Sequence, residues 1–379
     1  MKNFLKIVAG TFVGSLITMI IGVLLLFGIF GSIASLAEKS IPTVPSSAVL
    51  NINFSNPVTE QPTDDPLAKV SMTNLKLSSK SLGILSVVNA IDNAASDPRI
   101  KFILMDLDDL NAGITHLEEI RAALLRFHES GKPIISYADN FSQPAYYLAT
   151  ASDKIYLNPT GSAYLTGLSV NSLFFKDLLD KLGIQAQLIR HGKFKAAAEQ
   201  YVSNKMSDEN REQLRAYIDA VWNTWTEKIS EARGIPVERI NQMADNLEIT
   251  NAEKAKEFGL VDDLMYVDQL NDMLLSLFGV QKEKDLKAIS LSDYITATKK
   301  LNFKEKNKIA VVYANGEIIM GKSNDNIASD NFVSMLAKIR KDSSIKAVVL
   351  RVNSPGGSAQ CADMIERELR LIREKKPIV

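Results

Sequence analysis

Two stretches of this chain repeat one another at a fixed distance. Residues 96–124, SDPRIKFILMDLDDLNAGITHLEEIRAAL, resemble residues 341–369, KDSSIKAVVLRVNSPGGSAQCADMIEREL, at a constant offset of 245 positions. Ile100-Lys101 lies over Ile345-Lys346, and Ile120 lies over Ile365. Each stretch runs on into Lys-Pro-Ile, at 132–134 and 376–378. Self-similarity of a whole strand–loop–helix unit implies two copies of one domain in tandem, and 379 residues leave room for about two.

The first copy sets the fold class. AVLNINF, KFILMDL and KPIISYA read as short apolar strands. SLGILSVVNAIDNAA, LEEIRAALLRF and PAYYLATAS carry apolar residues at helical spacing. Strands alternating with helices of this length predict βαβ units on a mainly parallel sheet, an α/β fold. A mostly helical insert is expected over about 172–275, where FFKDLLDKLG, NREQLRAYIDAVWNTWTEKISEARG and AEKAKEFGLVDDL have period-3.6 stripes. The expected divisions are 39–82, a proline-broken linker with one short strand; 83–280, the first repeat with its helical extension; 281–307, a second linker; and 308–379, the start of the second repeat. IAVVYANGEII opens that last part, with Asn315-Gly316 as a turn.

Residues 1–38 have a different character. From Ile7 to Ala37 there is no charged residue. Roughly 20 helical residues cross a hydrocarbon core, and a cleavable leader has an apolar centre of only about 7–15. The run predicts a single transmembrane helix that contacts membrane lipid. Lys2 and Lys6 before it place the N-terminus in the cytoplasm and the bulk of the chain on the far side, periplasmic if the cell is Gram-negative. Lys plus Arg equals Asp plus Glu, so no basic field argues for nucleic acid. The single cysteine, Cys361, forms no internal disulfide and reads as a small packing residue.

The repeats differ most at one loop. The second has Asn353-Ser354-Pro355-Gly356-Gly357-Ser358; the first has Asp108-Asp109-Leu110-Asn111-Ala112-Gly113. Two adjacent glycines permit φ > 0 and let backbone N–H groups face outward, and the helix that follows adds the positive end of its dipole. This suits an anion, either a phosphate or the oxyanion of acyl transfer. The loop itself has neither G-x-G-x-x-G nor GxxxxGK[ST] spacing, which argues against a nucleotide there. Lys195, ahead of three alanines, is a candidate general base if its surroundings remove solvent, and Lys193 is an equal one on spacing alone. His116, His128 and His191 have no metal spacing and follow no nucleophile motif. No metal and no cofactor are expected.

VVYANGEI, AVVLRVNSPGGSA, KFKAAAEQYVSNKMS and YYLATASDKIYLNPTGS are similar to segments of signal peptide peptidase A in its long, two-repeat form. That resemblance covers nearly the whole chain. It implies tandem ClpP/crotonase-like repeats of ββα units and a membrane-anchored serine endopeptidase that degrades cleaved signal peptides as a homo-oligomer. It also implies roles: Lys195 as general base, Gly357 and Ser358 as the oxyanion loop, and Gly356 supporting the turn. The family's serine lies just after the strand beginning KKPIV, a segment not among these 379 residues. A polypeptide without it is expected to be inactive. In the first repeat the corresponding place holds Gln143, with Ser142 one position off. Two other readings stand beside this one: a non-catalytic oligomeric membrane scaffold, and a crotonase-type acyl-CoA enzyme.

Overall fold

The computed structural model describes residues 6, 10–24, 42–62, 81–299 and 305–379. Residues 10–24 form a helix, α1, with Phe12, Met19 and Leu24 exposed. The rest of the expected anchor, 7–9 and 25–37, lies outside the described residues. Among the described residues no helix is long and apolar enough to cross a membrane.

The first repeat runs β1 (Ala48–Phe54), β2 (Val58–Thr59), β3 (Leu82–Gly83), α2 (Ile84–Ser96), β4 (Ile100–Leu110), α3 (Ile114–His128), β5 (Ile134–Phe141), α4 (Gln143–Ala149) and β6 (Lys154–Ala163). After it come α5 (Lys176–Lys181), α6 (Glu199–Val202), α7 (Asp208–Arg233), α8 (Val237–Asp245), α9 (Ala252–Glu257), β7 (Asp263–Leu264), α10 (Val267–Phe278), β8 (Ala288–Ser290) and α11 (Leu291–Thr298). Six strands form one sheet in the order β7-β6-β5-β4-β1-β8, with every pairing parallel. This is the expected parallel α/β architecture.

Both faces of the sheet are covered, which is why its strands read as apolar runs. On β4, Ile103, Met105 and Leu107 enter the larger core with α2 and α3. Phe102 points the other way and joins Val49, Ile135 and Tyr137 under Leu270 and Leu274 of α10. The long helix α7 starts where the Ser207 side chain accepts from Asn210 N and stops at Gly234 in the left-handed region, a capped start and a glycine stop.

Two expectations need correction. Residues 281–299 are not a linker. Ala288–Ser290 pairs with β1 at the sheet edge, and α11 buries Leu291 and Tyr294, whose hydroxyl donates to Asp97 (3.1 Å). Their polar composition hid two short apolar anchors. The insert is less helical than expected, because 182–198 holds no regular element and Leu182, Ile184 and Ile189 are exposed there.

The second repeat comprises β9 (Lys308–Asn315), β10 (Ile318–Ile319), β11 (Ile327–Ala328), α12 (Ser329–Lys341), β12 (Ile345–Asn353) and α13 (Ala359–Arg373). It has a separate core around Val312, Leu336, Val348, Cys361 and Ile372. The repeat seen in sequence holds in three dimensions: α2 and α12, and α3 and α13, have the same bounds 245 positions apart. The shared Lys-Pro has a mechanical role. Lys132 Nζ donates to Ala94 O (2.8 Å) and Asp97 O (2.7 Å), and Lys376 Nζ donates to Ile339 O and Asp342 O (both 2.5 Å). Each lysine binds carbonyls at the C-terminal end of an earlier helix, α2 for Lys132 and α12 for Lys376.

Candidate active site

The glycine loop sits where β12 ends and α13 begins. Asn353 is tied across to β9: its Nδ2 donates to Asn315 Oδ1 (2.9 Å), and its carbonyl accepts from Gly316 N (3.0 Å). Ser358 caps α13, its hydroxyl accepting from Cys361 N (3.3 Å). Between these anchors Gly356 has φ +106° and Gly357 φ +149°, conformations side chains rarely adopt.

The backbone of β10 then decides which amides are free. Ile318 N donates to Gly356 O (2.9 Å) and Ser358 N donates to Ile318 O (2.8 Å), a one-residue parallel bridge. A Cβ on Gly357 would stand 2.1 Å from Ile318 O. Gly356 N donates to the Ser354 hydroxyl (3.1 Å). Gly357 is exposed, and its N–H meets no hydrogen-bond acceptor among the described residues. The resemblance implied Gly357 and Ser358 as the oxyanion loop, with Gly356 supporting the turn. The structure leaves Gly357, because the bridge that forces glycine there consumes the Ser358 amide. The first repeat lacks this device: Val58 N donates to Asn111 O (2.8 Å), but Asn111 and Ala112 have no positive φ.

Lys195 is not enclosed. It lies in an exposed turn; its N–H reaches Gly192 O at 3.5 Å and its carbonyl accepts from Arg190 Nη1 (3.3 Å). The three alanines after it begin no helix, since α6 starts only at Glu199. No hydrogen bond or ion pair among the described residues joins Lys195 to 356–358. Lys193 is equally exposed, its ammonium 5.2 Å from the Phe194 ring centre. Beside this turn is a cleft of about 500 Å³ lined by Leu188, Arg190, Glu199, Val202 and Ser203, without Lys195.

Glu199 was passed over in the sequence and organises this region. It is buried, with Oε1 accepting from Ser207 N (2.6 Å) and Oε2 from Asn210 Nδ2 (2.8 Å). Burial pushes its carboxyl up, but these hydrogen bonds outweigh that and hold it below the ordinary glutamate range.

In the first repeat, the place of the nucleophile is structural. Gln143 Oε1 accepts from Thr166 N (2.6 Å) and Gly167 N (2.9 Å), while Nε2 donates to Gly167 O (2.8 Å). The Ser142 hydroxyl caps α4, accepting from Ala145 N (3.3 Å). Cys361 is buried with its thiol toward Ile327 O (3.7 Å), and burial raises its pKa. Among the described residues no group of His, Cys, Asp and Glu is placed to hold a metal.

A second cluster had no signal in the sequence. Arg351 on β12 reaches the first repeat, with Nε and Nη2 on Glu60 and Nη1 and Nη2 on Glu119 (3.1 and 2.5 Å). His116 Nε2 is 3.0 Å from Glu60 Oε1, and His116 Nδ1 is buried with no partner among the described residues. Burial raises the Glu60 carboxyl, but bonding to Arg351 and His116 wins and keeps it below the ordinary range. Glu60 and Arg351 are 291 positions apart, too far for any spacing rule to pair them.

A backbone amide left free on a glycine loop at a helix start is a geometry that suits an anion or oxyanion at a strand end. Residues 126–281 match the model of peptidase family S49. Over 312 residues the chain is 36% identical to "Protease 4" of Haemophilus influenzae, covering 79% of this chain and 51% of that protein. It is 34% identical to "Protease 4" of Salmonella typhi, over 78% of this chain and 49% of the relative. It is 32% identical to "Serine protease SPPA, chloroplastic" of Arabidopsis thaliana, over 76% and 43%. The chain is thus similar to proteases of the signal peptide peptidase A type, and its residues 126–281 match peptidase family S49. It spans about half the length of these curated relatives.

Proposed function

We propose that the whole protein is a membrane-anchored serine peptidase working through a Ser-Lys dyad, with cleaved signal peptides as its substrate class. The observation that carries this reading is the Gly357 amide, exposed beside the start of α13 and without an acceptor among the described residues. A backbone N–H held in place costs no reorganisation when charge develops on a peptide carbonyl oxygen. Lys195, from the first repeat, takes the proton of the attacking serine. That serine belongs to the segment following the second Lys-Pro-Ile. The 379 residues alone pair neither Ser142 nor Gln143 with a glycine loop of this kind, so we expect no acyl transfer from them.

Lys195 must be neutral near pH 7 to act. An ordinary lysine is less than roughly 0.1% neutral there, so the exposed turn has to be covered in the active assembly. A second copy of the chain supplies that cover in a homo-oligomer. The exposed Ile184, Ile189 and Phe194 around the turn support this. The uncharged run 7–37 supports an anchor that leaves the bulk of the chain on the periplasmic face of the inner membrane. Recovery of the unprocessed protein in the soluble fraction would count against that placement.

The test of mechanism is ester hydrolysis by the whole protein carrying Lys195→Ala or Lys195→Arg, with circular dichroism as the folding control. Both variants should lose activity, because a guanidinium does not give up its proton. Near-normal rates in Lys195→Arg would show that only a positive charge is needed and would end the dyad reading.

A further inference from the structure

The two repeats have separate cores, and Arg351 is a polar link between them. We propose that Arg351, gripped by Glu60 and Glu119, is a positioning residue: it fixes the glycine loop of the second repeat against the repeat that carries Lys195. This rests on the peptidase reading, in which base and oxyanion donor come from different repeats and need a set relation in space.

The placement supports it. Arg351 lies two residues before the end of β12, opposite Tyr313 of β9, and the strand runs from it through the anchored Asn353 into the loop. Any shift of Arg351 along or across the sheet is therefore passed to Gly357. The grip is directional as well as electrostatic, because two carboxylates hold the planar fork from different elements. Glu60 follows β2 and Glu119 lies on α3, so two elements of the first repeat define where the guanidinium sits. Glu60 is itself steadied by His116. The fold of a repeat does not need this contact. At the same register of the first repeat stands Asp106, exposed and of opposite charge. The clamp belongs to the copy that has the glycine loop.

The test uses Glu119→Gln and Arg351→Lys. Glu119 is partly exposed on a helix surface, so its substitution strands no deeply buried charge. Amide exchange is followed in the 379-residue chain at Gly356 and Ser358, with Ile103 and Val348 as core references. Exchange at Gly356 and Ser358 should quicken by about tenfold in both variants while the references hold. In the whole protein, kcat for an ester should fall about tenfold with KM within about twofold, the mark of a contact felt in the transition state. The double variant should be no worse than Arg351→Lys alone. Unchanged exchange at 356 and 358 overturns the proposal. So does an equal rise at the references, which would make the clamp simple glue, or faster exchange with kcat intact. If the unsubstituted whole protein hydrolyses no ester, the peptidase reading falls and the exchange measurement alone decides the clamp.

Discussion

Gly357→Ala is the sharpest test of the loop geometry. The added Cβ would stand 2.1 Å from Ile318 O and 2.9 Å from Ile318 N, both backbone atoms that cannot swing aside. The residue would also have to hold φ +149°. Strained backbone of this kind costs about 1–3 kcal/mol. Relieving the overlap separates β10 from the loop and breaks two hydrogen bonds, at about 0.5–1.5 kcal/mol each. The terms overlap, so about 3 kcal/mol is the working figure. Gly356→Ala gives a control, since beyond its chain neighbours no atom of the described residues lies within 4 Å of the added Cβ and only φ +106° opposes it. Its cost should be about 1–2 kcal/mol. Cys361, the single cysteine of the chain, reads the difference. Its thiol is buried four residues beyond Gly357 in the first turn of α13, so a disulfide reagent reaches it only when this end opens. With tenfold per 1.4 kcal/mol, labelling should quicken about 100-fold in Gly357→Ala and about tenfold in Gly356→Ala. Equal rates in the two variants, or a Gly357→Ala rate near that of the parent, would refute the proposed overlap with Ile318.

Gln143→Ala removes three hydrogen bonds to 166–167 and should destabilise the first repeat by about 1–3 kcal/mol in urea unfolding. Cys361 labelling should stay at the parent rate, because the second repeat has its own core; faster labelling would contradict that independence. Asp97 gives a pH signature. Hydrogen bonds from Arg99 lead the causes that hold its pKa at about 2 against an ordinary 3.8. A depressed carboxylate contributes stability that is full above the unfolded value and is lost as pH falls through the folded one. The contribution, on the order of 1–2 kcal/mol after solvent screening, should therefore disappear between about pH 4 and 2. Asp97→Asn should flatten the urea midpoint over that window, and parallel curves for the two proteins would count against the assignment.

What sequence alone determined here is whatever is local or repeated. Strand and helix identities follow from period two and period 3.6, because the sheet and the helix stripes face apolar cores. The internal repeat carried topology across 245 positions, down to the bounds of α2 and α12. The glycine pair was legible because only glycine tolerates those φ values. Tertiary structure decided the rest. Which amide of 356–358 stays free depends on β10, a two-residue strand supplied by a different stretch of chain. Residues 288–298 looked like linker because a short edge strand and a single buried tyrosine leave little periodic signal. The alanines after Lys195 left open whether solvent is removed there, because enclosure comes from elements that pack over a site and not from its neighbours in sequence. The clamp on Arg351 was invisible for the same reason: charges with no common spacing meet only after two separately cored repeats have come together.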